Sequence, residues 1–350
     1  MRRPKFHASD RIAERTKDNE TAIRTFLGDR GDAGQRLDLV LRRHLADLDA
    51  ATRTRVQTWI DGGTVSINGE AVRRVATRVA AGDVLTVNIP ETALPLSRRI
   101  EPDSTPLDIL FEDHHLLAVN KPAGIVVHPT HAQPAGTLMN RLVGHGRAWP
   151  SGTRPSLVGR LDKLTSGIVL VAKTAAIHAA LQRTMARRET KKDYLALVYG
   201  RVPAAATDIA LRLRRDSLDR RRVATSASIG APSLTRVARL AQIAAPRVGL
   251  ALLRCRLVTG RTHQIRAHLA ARGWPIVGDP TYGEPGWKRI TDATLATTLR
   301  AFPRQALHAW RLGFVHPQTS ALMKIEAPIP QDMRDLLERT GFGSAYSDPD

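Results

Sequence analysis

The sequence predicts an α+β protein of two unequal domains, on three observations. Between residues 34 and 90, apolar positions at helical spacing run into a strong hairpin signal. Residues 91–106 then hold Pro95, Pro102 and Pro106 among mixed charges, as a linker does. Beyond them, apolar strand-like runs outnumber helical ones and recur irregularly, which argues against a doubly wound sheet. At 350 residues the chain can bury two separate cores.

The elements follow in order. Residues 1–33 mix both charge signs with few apolar positions and read as a mobile arm. Leu37, Val40, Leu41, Leu45 and Leu48 then recur at helical spacing, with Arg36, Arg42 and Arg43 on the other side. A second short helix is expected from Thr52 to Ile60, stopped by Asp61-Gly62-Gly63. Thr64 to Ile67 alternates like a strand, Asn68-Gly69 is a hairpin turn, and Val84 to Ile89 closes the unit as another strand. The larger domain is expected over 107–335, with a tail at 336–350. Its strands are read at Leu116–Asn120, Ile125–Val127, Ile168–Ala172, Tyr194–Tyr199 and Ala251–Leu257. Its helices are read at Ala175–Arg188 and Thr262–Ala271, the second ended by Gly273.

Charge narrows the partner. Lys and Arg number 53 against 33 Asp and Glu, a formal net charge of +20, which favours a polyanion through counterion release. No apolar run approaches the roughly 18 residues of a spanning helix, so a membrane is not expected. The start carries no secretory signal, neither end a lipidation motif. Cys255 is the only cysteine, which excludes an intrachain disulfide and a cysteine metal cage and suits a reducing cytoplasm. His114, His115, His128, His131, His263 and His268 match no compact metal spacing, so no metal is expected. Basic runs at Arg183 to Lys192 and Arg212 to Arg222 read as solvated faces or, beside a nucleic acid, as backbone contacts.

One stretch carries chemistry. Gly159-Arg160-Leu161-Asp162-Lys163-Leu164-Thr165-Ser166-Gly167 sets a carboxylate between two cations, in a turn that opens an apolar strand. A carboxylate so placed can remain ionised and reachable, as a nucleophile or base requires. Read by itself it is equally an ordinary surface aspartate.

The first module resembles the S-four-like RNA-binding domain of a ribosomal protein and many RNA-modifying enzymes. Arg36-Leu37-Asp38 and the Gly63 to Gly69 segment carry that likeness. It implies RNA contacts from Arg36, Arg42, Arg43, Arg53, Arg55, Arg73 and Arg74. The second domain resembles the RluA-type pseudouridine synthases. The segments that carry this likeness are Asn120 to Gly124, Gly159 to Gly167, Lys192 to Gly200 and Thr259 to His268, extended by Gly278 to Gly283 and Leu307 to Ala309.

The likeness implies a mixed, largely antiparallel sheet flanked by helices, and an enzyme that isomerises uridine to pseudouridine in structured RNA, most plausibly large-subunit ribosomal RNA. The reaction is redox-neutral, so no cofactor is implied. Asp162 falls at the family's catalytic carboxylate, with Arg266 as its ion-pair partner and Tyr194 as the aromatic residue of the pocket. Arg160 falls where the family inserts a side chain into the stack as the target nucleotide is extruded, a step costing a few kcal/mol. Lys121, Arg261, His263 and Gln264 are implied as further substrate or RNA contacts. Two departures stand out: Gly159 replaces the usual His, and Leu164 a common Asp. A glycine at 159 is expected to loosen the backbone at Arg160. No obligate protein partner is implied, and a monomer is expected. The competing readings are a non-catalytic RNA-binding or ribosome-assembly factor and a nucleosidase-like hydrolase; the first has no need of Asp162, Tyr194 and Arg266 together.

Overall fold

The computed structural model describes residues 21–29, 31–45, 48, 51–90, 100–130, 133–219, 221–243, 249–283 and 285–345. Two compact units divide between residues 99 and 100.

In the first unit, strand β1 (Thr21–Leu27) precedes helices α1 (Leu37–His44) and α2 (Arg53–Asp61), which lead into β2 (Val65–Ile67), β3 (Glu70–Ala71) and β4 (Val84–Pro90). The apolar stripe of α1 drives its docking: Leu37, Val40 and Leu41 are buried with Val56, Trp59 and Ile60 of α2 against Leu85, Val87 and Ile89. Each such side chain contributes about 1.5–3 kcal/mol. The Thr52 hydroxyl accepts from the Arg55 amide and so caps α2.

The sheet order is β1-β4-β2-β3. The expected arm therefore needs correction from Thr21 onward, because β1 pairs antiparallel with all of β4, Thr21 opposite Pro90 and Leu27 opposite Val84. Its sequence hides this: Ile23 and Leu27 face solvent and Phe26 packs on the core, so backbone pairing to the open edge of β4 holds the strand. Residues 1–20 of that arm lie outside the described residues.

In the second unit, β5 (Ile109–Glu112) and β6 (Leu116–Lys121) precede α3 (Leu138–His145), β7 (Ser156–Leu157), β8 (Ser166–Ala172) and α4 (Ala175–Ala186). Next come β9 (Lys191–Tyr199), β10 (Thr207–Arg215), β11 (Val223–Ser226), β12 (Ala231–Ile243), β13 (Leu250–Leu257) and α5 (Gln264–Ala271). The chain ends through α6 (Ala293–Ala301), β14 (Leu307–Val315), β15 (Leu322–Glu326) and α7 (Gln331–Arg339).

The strands form one sheet in the order β11-β10-β12-β13-β9-β14-β8-β6-β5, with β15 on β14 and β7 on β8. Among the described pairings only β14 with β8 is parallel, so the sheet is mixed and largely antiparallel, as expected. Gly167 makes that parallel junction possible: its φ is +111°, and a Cβ there would meet the Ala309 carbonyl oxygen at 2.2 Å.

Three boundaries differ from expectation. Residues 100–106 are not linker, since the Asp103 amide donates to the Asn140 carbonyl and the Asn140 side chain to the Glu101 carbonyl. Residues 91–99 lie outside the described residues. Ile125–Val127 forms no strand: Pro122 and Gly124 turn the chain off the sheet, and the carbonyls of Val126 and Val127 accept from the first amides of α3. The tail from 336 begins inside α7, whose Met333, Leu336 and Leu337 bury with Phe342 in the main core. The second core therefore continues to residue 345, and 346–350 lie outside the described residues.

Candidate active site

Asp162 sits in the loop between β7 and β8, short of the parallel junction with β14. The Arg266 Nη1 donates to Asp162 Oδ2 at 2.9 Å from the first turn of α5. The same guanidinium donates through Nε and Nη2 to both oxygens of Asp279, at 2.7 and 2.8 Å. One buried arginine thus bridges two carboxylates, the second in fork-to-fork geometry. Burial opposes the charge on Arg266, but Asp279 and Asp162 outweigh it and hold it cationic. Burial likewise opposes the charge on Asp279; the Arg266 bonds and the Tyr282 and Thr281 amides prevail and keep it below the usual carboxylate range. This partner was missed in the sequence, although its Gly-Asp-Pro segment belongs to the motif set.

His263 Nε2 lies 3.8 Å from Asp162 Oδ2. Both of these partners of the Asp162 carboxylate meet Oδ2. His263 opens α5 with a left-handed φ of +54°, rare for a residue with a Cβ and typical of functional sites. Burial is the main cause that holds its imidazole below the ordinary value, against the pull of Asp162. Its Nδ1 meets the Tyr282 hydroxyl at 3.1 Å, and the Arg266 guanidinium lies 5.1 Å from the centre of the Tyr282 ring.

Asp162, Arg160, Tyr194, Arg261, His263 and Arg266 line one cavity of about 160 Å³. Tyr194 enters it from β9, where the neighbouring Asp193 is clamped by Arg256 at 2.7 and 2.8 Å. Burial, then the charge of Asp162, pushes the Tyr194 phenol well above its ordinary value. The hydroxyl therefore stays protonated at neutral pH and can donate, while the ring offers a stacking face. Arg160 is exposed and lines the cavity. Gly159 before it has φ +108°, a conformation that a β-carbon disfavours. The glycine-specific conformation is that of Gly159 itself, and the space around a β-carbon there is open. Lys192, not singled out individually in the sequence, lines the same cavity, with its amine lowered by burial and Met185 Sδ at 3.1 Å.

Two residues expected to touch RNA point inward instead. Lys121 is fully buried, and its Nζ donates to the carbonyls of Pro122, Ile125 and Lys163 at 2.7, 3.0 and 3.2 Å. It ties the 122–125 turn to the Asp162 loop and does not reach RNA. Gln264 is 2% exposed; its oxygen accepts from the Thr259 hydroxyl and Arg261 amide, and its nitrogen donates to the Leu234 carbonyl and Thr235 hydroxyl. It fixes the loop that presents Arg261 and His263, and keeps nothing free for substrate.

In the first unit, Arg42, Arg53, Arg55, Arg73 and Arg74 are exposed. Arg36 is tied down by buried Asp38, which also accepts from Gln57 and so links α1 to α2. Arg43 bonds both Asp29 and Asp32. Those two carboxylates and His44 are the one cluster of potential metal ligands among the described residues, and both carboxylates are already engaged by Arg43.

A carboxylate, an arginine and a protonated tyrosine around one cleft, on a mixed sheet that follows a small arginine-bearing module, define an RNA-modifying enzyme. Residues 115–271 match the RNA pseudouridylate synthase family and residues 35–85 the S4 domain. The ribosomal large subunit pseudouridine synthase D of Nitrosomonas europaea is 37% identical over 329 residues, covering 94% of this chain and 91% of the relative. The protein of the same description from Zymomonas mobilis is 39% identical over 311 residues, covering 87% and 93%. Among solved structures, human RNA pseudouridylate synthase domain containing 1 is 25% identical with a TM-score of 0.51, over 71% of this chain and 98% of that one. The chain belongs to the pseudouridine synthase family and is an isomerase that acts on RNA. Among the described residues, no helix is long and apolar enough to cross a membrane.

Proposed function

We propose that this protein converts uridine to pseudouridine in large-subunit ribosomal RNA, in the cytoplasm and as a monomer, with Asp162 as the catalytic carboxylate. The relatives at 37–39% identity supply the substrate class. The observation that carries the catalytic role is the bridge from Asp279 through Arg266 to Asp162, which fixes the carboxylate through Oδ2 in the wall of the cleft.

The chemistry breaks the C1′–N1 bond, turns the uracil and joins C1′ to C5; C5 loses a proton and N1 gains one. Asp162 acts as nucleophile or as proton acceptor while the bond is open. Tyr194 stacks on the base and donates from its hydroxyl. Arg160 fills the gap left in the RNA stack. The exposed arginines of the S4 domain supply phosphate contacts.

The variant Asp162→Asn is expected to lose pseudouridine formation by more than about 1,000-fold while RNA affinity changes less than about threefold. Persistent product from that variant would sink the assignment. Pseudouridine mapping in ribosomal RNA from cells lacking the gene identifies the substrate positions; an unchanged map of the large subunit refutes the proposed substrate. A binder without activity would leave wild type and variant equally silent, and a hydrolase would release free uracil.

A further inference from the structure

The arginine runs of β10 and β11 do not scatter over the surface. The two strands pair antiparallel, with Arg214 opposite Ala224 and Arg215 opposite Val223, so the hairpin brings the runs to one end. There Arg214, Arg215, Arg221 and Arg222 line a second cavity of about 310 Å³, completed by Arg261 and His263. Arg261, Thr262 and His263 also line the Asp162 cleft, so the two cavities share a wall. Arg212 takes no part, since it turns to the Gly230 carbonyl, and Arg220 lies outside the described residues.

Among these guanidinium groups, Arg221 is engaged by Asp219 and Arg222 lies 5.3 Å from the centre of the Tyr282 ring. Arg214, Arg215 and Arg261 are exposed and form no ion pair among the described residues. Like charges gathered in one concavity repel one another and favour an anion that can meet several of them at once. The hairpin is also joined to the catalytic cluster. Tyr282 accepts from the Val223 amide at 2.6 Å, meets His263 Nδ1, and packs with Leu213 and Ala267.

We infer that this cavity seats the phosphodiester backbone next to the uridine that occupies the Asp162 cleft, with Arg214, Arg215 and Arg261 bonding its phosphates. The inference rests on the proposed function for its substrate. Anchoring the strand there sets the register of the target nucleotide, and Tyr282 ties the anchored hairpin to the helix that carries Arg266. These arginines read charge and spacing rather than base identity.

The test compares wild type, R214Q/R215Q and R339Q, a control at an exposed arginine of α7, on a large-subunit RNA fragment that contains a mapped target. The double variant is expected to need about tenfold more RNA for half-maximal rate, with the saturating rate within about twofold of wild type. Its salt dependence of binding should flatten by about 0.7–0.9 in log–log slope for each phosphate left without its arginine. Neutral methylphosphonates flanking the target uridine should weaken wild type by a similar factor and the double variant hardly further, the signature of a shared interaction. Additive effects, or a double variant indistinguishable from R339Q, overturn the inference. Free inorganic phosphate that competes as well as the RNA strand would also overturn it, by showing a small-anion site. If wild type makes no pseudouridine in any such RNA, the proposed function fails instead, and the salt slope and methylphosphonate cycle still decide the cavity by binding alone.

Discussion

At the scale of single residues, the groups that come together at the Asp162 cleft were legible because they sit in compact motifs: Asp162 between basic neighbours, Tyr194 opening a strand, Arg266 on a helix. What could not be read was direction. Nothing in the local pattern says that Lys121 and Gln264 turn inward, or that Arg266 reaches thirteen residues along the chain to Asp279. Removal of that second carboxylate by Asp279→Asn leaves a buried guanidinium half paired. Stability should then fall by about 3–5 kcal/mol in chemical denaturation. Pseudouridine formation should fall at least about tenfold through misplacement of Arg266, and an unchanged denaturation midpoint would contradict the bridge. Gly159 is a second such site. Its φ of +108° leaves a β-carbon strained although the surrounding space is open, so Gly159→Ala should destabilise by about 1–3 kcal/mol. A midpoint equal to wild type would show that the turn relaxes freely and that the usual histidine could be accommodated.

At the scale of elements, α1, α2, α4 and α5 were legible to within a few residues because their apolar spacing is also their packing face, whereas α3, α6 and α7 were not read. β1 was not, since its side chains contribute little burial and the edge of β4 recruits it through backbone bonds. Nor was the fate of Ile125 to Val127, whose apolar run serves a turn that Lys121 pins from the end of β6. Burial, then the nearby Arg304 cation, pulls the Lys121 amine down to about 7, with Asp162 resisting. In the unfolded chain it titrates near 10.5. Between those values the unfolded state binds more protons, so the contribution is fully present above about 10.5 and is lost as pH falls toward 7. Relative to Lys121→Met, wild type should therefore gain stability as pH is raised from about 7 toward about 10. A stability difference that stays flat over that range would show that the three carbonyls hold the amine charged throughout.

At the scale of the whole molecule, the division into a small RNA-binding unit and a larger catalytic one was legible from the break in composition near residue 91. The strand order was not, because a strand's neighbours in a sheet are set by pairings far apart in sequence. Two buried histidines give the large unit a common weakness in acid. Burial depresses both His268 and His308 to about 4. Each titrates near 6.5 when unfolded. Their contribution is intact above about 6.5 and is lost as pH falls toward 4. Unfolding midpoints should drop through that window, and His308→Gln should shallow the decline; an equal slope in the variant would remove His308 as a cause. The late strand β14 lies between β9 and β8, parallel to β8, and α7 closes the core behind it. A nascent chain must therefore hold the earlier strands of this sheet unfinished until residues 307–315 emerge. Catalytic competence arrives only at the end of synthesis, and a chain cut short before β14 carries every catalytic residue proposed here yet has no floor on which to assemble them.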